Sequence, residues 1–417
     1  MKSKKKYLPR RQAGWSGEVT KHSIALDLEE GVFTWDDPKK TAASLKHSAD
    51  VSTRRKAKPF QSAISMLNFY INRSGKNLKP ERKKVLEKAK IELRKIFGKQ
   101  EIGCYHHCMN KNKKIVIAGA TGLIGKALCN QLQNKNYLIT IITPDAVSAR
   151  QVIPDALQYI AWEDSNALYD TINGTYGVVN LSGAPIIGRR FTKEYKKVLF
   201  DSRILTTKAI VDILAKTTTK PKVLINASAV GYYGYVPKEA VYQETDSSGS
   251  DFLAKLCVAW EKEAAKVDKY GVRVVCIRSA IVLDKNGGAL PRMLAPYYFF
   301  LGGPIGSGKQ WFPWVHIKDE VGIILFALEN EKVKGPINSV APEAVTNKHF
   351  SDTVAKILHR PSLIPVPLIL LKLMFGEAAE VLTGGVKVSP QKIIKLGYKF
   401  QYPKLHQALA DLLCPDV

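Results

Sequence analysis

The chain has 417 residues, of which 45% are hydrophobic, and its formal net charge is +26. This length predicts two or three domains, and this hydrophobic share supplies buried cores and excludes a disordered chain. A strongly cationic balance indicates either an acidic partner, such as nucleic acid, or a generally cationic surface. Six scattered cysteines do not form a disulfide framework and suit a reducing cytoplasm, where we expect this protein.

Neither the N-terminal segment nor the most apolar stretch of the chain predicts a membrane-spanning segment. Residues 1–15 are basic but lack an apolar run, so we do not expect a secretory signal there. The most apolar stretch, residues 363–375, is interrupted by two prolines and a lysine and is too short to span a bilayer. We interpret that stretch as part of a buried core.

The first hundred residues form a compositionally different module. They hold 25 Lys and Arg against 10 Asp and Glu, a net charge of +15, whereas the remaining 317 residues carry +11. Apolar residues at helical spacing predict a helix over residues 80–97 and another around Ala63, Leu67 and Tyr70. We assign residues 1–108 to a basic, mainly helical module with its linker. Basic patches with interleaved aromatic residues favour nucleic-acid contact, and a solvated cationic domain is the alternative.

The linker at residues 98–112 contains four candidate metal ligands within five residues. Cys104, His106, His107 and Cys108 are ligand types that zinc prefers. A tetrahedral site needs more chain between its ligand pairs than this segment offers, so we expect no metal there.

From residue 113 onward, short β-rich runs alternate with helical patterns. The predicted strands are residues 114–118, 137–142, 178–181, 223–227 and 272–277, and the later helices are 207–215 and 253–267. Buried strands that alternate with helices predict an α/β fold with a doubly wound parallel sheet of the Rossmann type. We place this domain at residues 109–284, and a smaller, Gly- and Pro-rich C-terminal lobe at residues 285–417.

Three glycines at Gly119, Gly122 and Gly125 follow the first strand and open a helix. Glycine permits a tight turn and a close approach of the backbone to a pyrophosphate, and the free N–H groups of a helix N-terminus attract that anion. The sequence therefore predicts dinucleotide binding. Beyond the second strand, Asp145 suits the ribose hydroxyls of NAD, whereas Arg150 suits the 2′-phosphate of NADP, so the choice stays open.

Several motifs resemble the extended short-chain dehydrogenase/reductases. They are Gly-Ala-Thr-Gly-Leu-Ile-Gly at 119–125, Asn-Leu-Ser-Gly at 180–183 and Ser-Ala-Val-Gly-Tyr-Tyr-Gly at 228–234. The segments Gly-Gly-Pro-Ile-Gly-Ser-Gly at 302–308 and Trp-Val-His-Ile at 314–317 make the chain similar to an atypical subfamily of NAD-dependent epimerase-like oxidoreductases. The resemblance covers residues 113–412. Residues 14–98 resemble a small basic bacterial domain of unknown function.

The resemblance implies NADP or NAD as the cofactor and assigns residues to it. The residues expected to contact the cofactor are Gly119, Thr121, Gly122, Leu123, Ile124, Gly125, Thr143, Asn180, Leu181, Ser182, Gly183 and Ser228. The family's usual Thr-Arg after the second strand is Thr143-Pro144 here, and the loss of that arginine removes a feature that favours NADP.

The proton-transfer residues depart from the family pattern. Leu253 and Cys257 stand where the family's Tyr-x-x-x-Lys pair belongs, and Arg203 stands where an Asn is usual. The catalytic candidates are therefore Ser228, Arg203, Cys257 and Tyr232. Ser228 would polarise a carbonyl and Arg203 would bind an oxyanion or phosphate. Cys257 is either a working thiol or a buried small hydrophobe, and Tyr232 or Tyr233 either replaces the missing phenol or packs. Arg278 is expected either to contact the cofactor or to brace a loop, and not to take part in catalysis.

Two functional hypotheses follow. The first is an NAD(P)-dependent oxidoreductase or epimerase that acts on a small hydroxyl or carbonyl substrate, with sugar-nucleotide-like compounds among the candidates. The second is a dinucleotide-binding sensor with little or no turnover, tethered to nucleic acid through residues 1–100. The sequence does not predict an oligomeric state.

Overall fold

The computed structural model describes residues 28–29, 31–52, 59–74, 80–97, 113–186, 189–234, 240–379 and 383–414. The chain divides into two compact units, Met1–Met109 and Asn110–Val417. The Cys and His cluster at residues 104–108 lies outside the described residues.

The N-terminal unit is helical in its described part. Its helices are α1 (Pro38–Val51), α2 (Pro59–Ser74) and α3 (Pro80–Ile96). Each helix begins with proline, whose fixed φ suits the first helical position, and the side chain of Asp37 caps α1 by accepting from the backbone of Lys39. Buried Leu45, Leu67 and Leu86 join one core. The sequence predicted α2 and α3 but not α1, because the buried face of α1 consists largely of Ala, Ser and Thr.

The second unit is built on a parallel sheet of seven strands. In chain order these are β1 (Lys114–Ala118), β2 (Leu138–Ile142), β3 (Gln158–Ile160), β4 (Gly177–Asn180), β5 (Val223–Ala229), β7 (Arg273–Ser279) and β12 (Gly335–Ser339), with the two-residue β6 (Val241–Tyr242) outside the sheet. The spatial order is β12-β7-β5-β4-β1-β2-β3, and every neighbouring pair is parallel. Strand order 3-2-1-4-5 with the reversal beside β1 is that of the Rossmann fold, which confirms the predicted fold class.

Helices cover both faces of this sheet. They are α4 (Leu123–Asn134), α5 (Ala146–Val152), α6 (Ser165–Ile172), α7 (Lys193–Lys216), α8 (Phe252–Ala265) and α10 (Ile317–Glu329). Two separate apolar clusters form, one on each side of the strands. The sequence analysis missed β3, since it is three residues long and only partly buried.

The sheet continues past residue 284, where we predicted the Rossmann domain to end. β12 pairs with β7 in parallel, with Ser339 opposite Ser279. The intervening α10 has Ile323, Ile324 and Leu328 buried in the sheet's core. This apolar helix returns the chain to the sheet, so the boundary at 284 divides elements that pack together.

Short elements form the remaining lobe. They are β8 (Ile281–Asp284), β9 (Gly287–Gly288), α9 (Leu290–Tyr298), β10 (Trp311–Phe312), β11 (Trp314–His316), β13 (Val345–Thr346), α11 (Asn347–Leu358), α12 (Leu368–Phe375), β14 (Lys387–Val388), α13 (Gln391–Lys395) and α14 (Leu405–Leu413). Trp314, Phe350 and Leu405 centre its core.

The apolar stretch 363–375 is not the core segment that we predicted. Leu363 is 81% exposed and Ile369 is 75% exposed. The two prolines leave residues 361–367 largely without regular structure, so only the short α12 forms, and it leaves apolar side chains at the surface. Within the described ranges, no helix combines the length and apolar character needed to cross a bilayer.

Candidate active site

The turn between β1 and α4 requires glycine at two of its three positions. Gly119 has φ +79°, which disfavours any side chain, and a Cβ there would lie 2.6 Å from the backbone of Leu181. A Cβ on Gly125 would lie 2.4 Å from the carbonyl oxygen of Gly119. These two glycines therefore hold the turn closed against its own backbone and against the end of β4.

Gly122 is different, because neither conformation nor packing requires it. Its φ is −72°, and the single described atom within 4 Å of a Cβ would be the Gly119 oxygen at 3.3 Å. Gly122 is the N-cap of α4 and provides no side-chain hydrogen bond, so the N-cap side chain does not satisfy the first-turn N–H groups at the positive end of the helix dipole. This cradle fits the pyrophosphate of a dinucleotide.

The other predicted residues of the turn lie beside this cradle. Leu123 and Ile124 are partly buried and pack on the core, and Leu123 also approaches the position of a Cβ on Gly288. Thr121 is half-buried within the turn itself. Leu181 donates its N–H to Ala118, which ties the end of β4 to the end of β1.

Asn180 at the end of β4 is completely buried and bonded to protein. Its Nδ2 donates to Thr207 Oγ1 at 2.9 Å and to Asn226 Oδ1 at 2.8 Å, and its Oδ1 accepts from the N–H of Ser182 at 3.2 Å. Trp260 Nε1 donates to the same Thr207 oxygen. The Asn180 side chain therefore positions the segment that includes Ser182 and Gly183. Because its hydrogen-bonding groups are engaged by protein, we expect neighbouring residues, and not this side chain, to contact a ligand.

The end of β2 leads into α5. Thr143 is buried, and Asp145 is the N-cap of α5, with a carboxylate that accepts from the N–H and the hydroxyl of Ser148. These hydrogen bonds lower the pKa of Asp145. Arg150 lies on the same helix, with its guanidinium over the ring of Tyr159. The carboxylate of Asp145, which the sequence suggested for the ribose hydroxyls, therefore caps α5.

Ser228 at the end of β5 faces a carboxylate. Its Oγ donates to Glu261 Oε1 at 2.6 Å, and Glu261 is gripped by Arg278 through Nε–Oε1 and Nη2–Oε2 contacts of 2.8 Å each. Ser228 and Arg278 are direct partners across the β5–β7 pair. Burial alone would lower the pKa of Arg278. The hydrogen bonds and the negative charge of Glu261 outweigh the effect of burial, so the pKa of Arg278 is raised overall.

The two tyrosines that follow Ser228 both contact Arg278. The guanidinium lies 3.4 Å from the centre of the Tyr232 ring, and Nη1 donates to Tyr233 Oη at 2.9 Å. Tyr233 in turn donates to Asn338 Oδ1 at 2.7 Å, and burial raises its pKa to about 12. Tyr233 is therefore held protonated within the network, and Tyr232 covers the arginine.

Cys257 is buried beside Ser228. Burial raises the pKa of its thiol to about 12, against the smaller opposing effects of hydrogen bonds from Ala229 and Ser228 and the charge of Arg203. A thiol at this pKa stays protonated at neutral pH and is a poor nucleophile.

Arg203 is buried under the segment that follows β4. Its Nη2 donates to Ala184 O at 3.0 Å and its Nη1 to Leu199 O at 3.1 Å, and a Cβ on Gly183 would lie 2.8 Å from the guanidinium carbon. Burial lowers its pKa. In the part of the chain that the structure describes, no carboxylate forms an ion pair with this cation. Such a buried cation attracts an anionic ligand group.

Glu261 was not predicted as a site residue, and Arg278 was expected either to contact the cofactor or to brace a loop. Glu261 follows Cys257 by four residues, which places both on one face of α8. Arg278 becomes adjacent to Ser228 only when β5 and β7 are neighbours, as a Rossmann strand order requires. That order, combined with the helical spacing, is the signal that could have joined the three residues.

A parallel sheet in this order, with a glycine turn after its first strand, defines a Rossmann-type dinucleotide-binding protein. The family model described as "NAD dependent epimerase/dehydratase family" matches residues 115–341, and the chain belongs to that family. A domain of unknown function (DUF1731) matches residues 366–412, and a second one (DUF3175) matches residues 14–99.

Relatives match the second unit along most of their own length. An epimerase family protein of Staphylococcus haemolyticus is 38% identical over 301 residues, which are 72% of this chain and 99% of that protein. A chloroplastic homolog of epimerase family protein SDR39U1 from Arabidopsis thaliana is 39% identical over 303 residues, 72% of this chain and 86% of that protein.

Solved structures share the fold. Human epimerase family protein SDR39U1, solved with NADPH, is 33% identical with a TM-score of 0.64, and the match covers 72% of this chain and 98% of the human chain. The nucleoside-diphosphate sugar epimerase of Corynebacterium glutamicum is 27% identical with a TM-score of 0.60, over 80% of this chain and 63% of that one.

Proposed function

We propose that this chain is an NAD(P)-dependent oxidoreductase or epimerase that acts on a small hydroxyl or carbonyl compound. The observation that carries the proposal is Gly122, the glycine of the β1–α4 turn whose conformation does not require glycine and whose Cβ would approach one described atom, the Gly119 oxygen at 3.3 Å. The first turn of α4 complements the charge of a pyrophosphate, and the backbone at Gly122 lets that group approach closely. When bound, the nicotinamide supplies or accepts a hydride.

We infer that the phosphorylated cofactor is preferred. The human relative was solved with NADPH. In this chain the carboxylate of Asp145 is engaged by Ser148, which removes an acceptor for unmodified ribose hydroxyls, and Arg150 is exposed one helical turn further on. NADPH should therefore bind at least about tenfold more tightly than NADH, a difference of about 1.4 kcal/mol. Equal affinities would contradict this preference.

The substrate end of the site joins Ser228 and Arg203. Ser228 offers a rigid hydroxyl at the end of a core strand, and Arg203 offers a fixed positive charge under the Gly183 segment. The fixed charge of Arg203 would stabilise a developing oxyanion without reorganising. The Ser228 hydroxyl, whose proton is donated to Glu261, would accept from a substrate hydroxyl. The two side chains suit a substrate with a carbonyl or hydroxyl beside an anionic group, and sugar nucleotides are one such class.

The experiment that tests the function is cofactor binding followed by a substrate screen. Calorimetry on the full chain should show saturable binding of NADPH, and a panel of carbonyl and hydroxyl compounds should change the nicotinamide absorbance. Failure of both NADPH and NADH to bind would overturn the proposal.

Leu253 and Cys257, which replace the family's Tyr and Lys, favour a second candidate function. A protein that binds the cofactor but lacks a proton-transfer group would report the redox state of the cofactor without turnover. Binding without any change in absorbance across the panel would support this sensor and contradict the enzyme.

We also propose that the N-terminal unit contacts nucleic acid. Its helices α1 and α3 carry the exposed cations Lys39, Lys40, Lys83, Lys84 and Lys88. Contacts with phosphates release counterions, so binding should be sequence-indifferent and weaken steeply with salt. In a gel-shift assay at low salt, the full chain should retard duplex DNA and a chain that lacks residues 1–108 should not. Equal retardation by both would contradict this assignment.

A further inference from the structure

We propose that Glu261 accepts, through Ser228, the proton that the substrate hydroxyl releases, and so performs the task of the tyrosine that position 253 lacks. The inference rests on the proposed oxidoreductase function. Ser228 is the catalytic residue in this scheme, because its oxygen contacts the substrate. Glu261 is a positioning residue that acts through Ser228 and stores the proton.

The direction of the Ser228 hydrogen bond is the first argument. Ser228 Oγ lies 2.6 Å from Glu261 Oε1. An ionised carboxylate only accepts, so the serine hydroxyl donates and its lone pairs remain available to a substrate O–H. This hydroxyl is therefore arranged to receive one proton while it passes another to Glu261.

The grip of Arg278 on Glu261 is the second argument. The two parallel contacts of 2.8 Å fix the plane of the carboxylate, and the arginine is itself held by Tyr233 and covered by Tyr232. Bidentate pairs of this kind add geometric specificity to charge. The carboxylate is thus held in its orientation towards Ser228.

The surrounding titratable groups keep their protons, which is the third argument. Burial raises the pKa of Cys257 to about 12 and raises the pKa of Cys276 on β7 as well. Tyr233, whose pKa burial also raises to about 12, is hydrogen-bonded to Asn338. The nearby carboxylate of Glu244 accepts from the backbone N–H of Asn338 on β12, and not from Ser228. Of the described groups that contact Ser228, Glu261 is the carboxylate, and its Oε1 lies 2.6 Å from the serine oxygen.

The proposed step balances atoms and electrons. In the oxidative direction, a bound oxidised nicotinamide would accept the hydrogen of the substrate C–H bond as hydride, with both electrons, as the carbonyl forms. The substrate O–H bond breaks as its proton passes to Ser228 Oγ, and the original Ser228 proton passes to Glu261. The carboxyl group later returns this proton to solvent, and reduction runs through the same transfers in reverse.

The test measures proton uptake when the cofactor binds, without any substrate. Oxidised nicotinamide is cationic and favours an ionised carboxylate, whereas reduced nicotinamide is neutral and does not. Calorimetry of NADP⁺ and NADPH in buffers of different ionisation enthalpy, between pH 4 and 7, therefore counts the protons. The full chain should take up measurably more protons with NADPH than with NADP⁺, and this difference should have a single midpoint in pH.

Substitutions show which residue takes up the additional proton. Glu261→Gln should abolish the difference between the two cofactors. Glu263→Gln should keep it, since Glu263 lies on the same helix but pairs with Lys266. Glu261→Asp keeps a carboxylate and should retain the difference with its midpoint displaced in pH.

The outcomes separate this inference from the proposed function. Failure of both cofactors to bind would overturn the proposed function, and the inference with it. Binding of both with equal proton uptake, or a difference that survives Glu261→Gln, would overturn the inference alone. If Glu261→Gln does not fold, Glu261→Asp decides, because an unmoved midpoint contradicts the role of Glu261 and a displaced midpoint supports it.

Discussion

The Ser228 hydroxyl donates to a carboxylate that Arg278 holds in place, and this contact changes what the serine can do. A hydroxyl whose proton is already engaged offers its lone pairs, so it suits a substrate hydroxyl better than a substrate carbonyl. Cys257, in contact with the same serine, has a thiol whose pKa burial raises to about 12. The neighbouring side chains, more than the residue types, therefore assign the roles at this site.

Substitutions at Ser228, Arg203 and Cys257 test these roles once a substrate is found. Ser228→Ala should lower kcat about a hundredfold or more, because it removes a group held rigidly at the reacting centre. Arg203→Met should also lower turnover, and Cys257→Ala should leave it within about threefold. Steady-state kinetics measures all three. An inactive Cys257→Ala with an unimpaired Ser228→Ala would reverse the assignment.

The pH dependence of stability should report His316, the fully buried N-cap of α10. Burial lowers its pKa to about 4, although the charge of Asp411 opposes the shift. Its Nε2 lies 3.3 Å from the Asp411 carboxylate but outside hydrogen-bond geometry, so the attraction does not offset burial.

The unfolded chain, where the His316 pKa is about 6.5, binds the proton first, so acid destabilises the fold. The free energy of unfolding should fall by roughly 2 kcal/mol from this group between pH 7 and pH 4.5. His316→Asn keeps a capping oxygen and should remove that part of the loss, as denaturant titrations at both pH values would measure. An identical pH dependence in both proteins would contradict the shift.

At the scale of elements, the Asn180 network joins β4, β5, α7 and α8. Asn180→Ala would leave the Asn226 side-chain oxygen and the N–H of Ser182 without the hydrogen bonds that Asn180 provides, and it would remove one of the hydrogen bonds to Thr207, which keeps its bond from Trp260. Each buried polar group that loses its partner is costly. We expect a loss of roughly 2–4 kcal/mol in unfolding free energy. The exposed Asn130→Ala on α4 is the control and should change stability by less than about 0.5 kcal/mol. Similar denaturation midpoints for both variants would contradict this account.

The sequence predicted the elements with strong patterns and missed those without them. Buried β-branched runs such as Lys114–Ala118 marked the sheet, and the spacing of Gly119, Gly122 and Gly125 marked the turn. The Glu261–Arg278 pair was not predicted, because it depends on which strands are neighbours and how α8 packs. The exposed surface of 363–375 was not predicted either, since composition alone does not distinguish an apolar core from an apolar surface.

At the scale of the whole molecule, two compact units divide after Met109 and differ in charge. A chain of residues 109–417 contains every described residue of the sheet and of the site. It should be expressed in folded form and bind NADPH with the affinity of the full chain, as calorimetry would measure. An insoluble product, or one that does not bind the cofactor, would contradict the independence of the second unit.

The central claim is that the β1–α4 turn binds a nicotinamide dinucleotide, and calorimetry on Gly122→Val tests it most directly. The added Cβ would lie within 4 Å of one described atom, the Gly119 oxygen at 3.3 Å, so the melting temperature should fall by only a few degrees. The NADPH affinity should fall at least about a hundredfold, or about 2.7 kcal/mol. Ser165→Val, at the exposed first position of α6, should leave the affinity unchanged. NADPH affinity that is the same in Gly122→Val and in the natural chain would contradict the account.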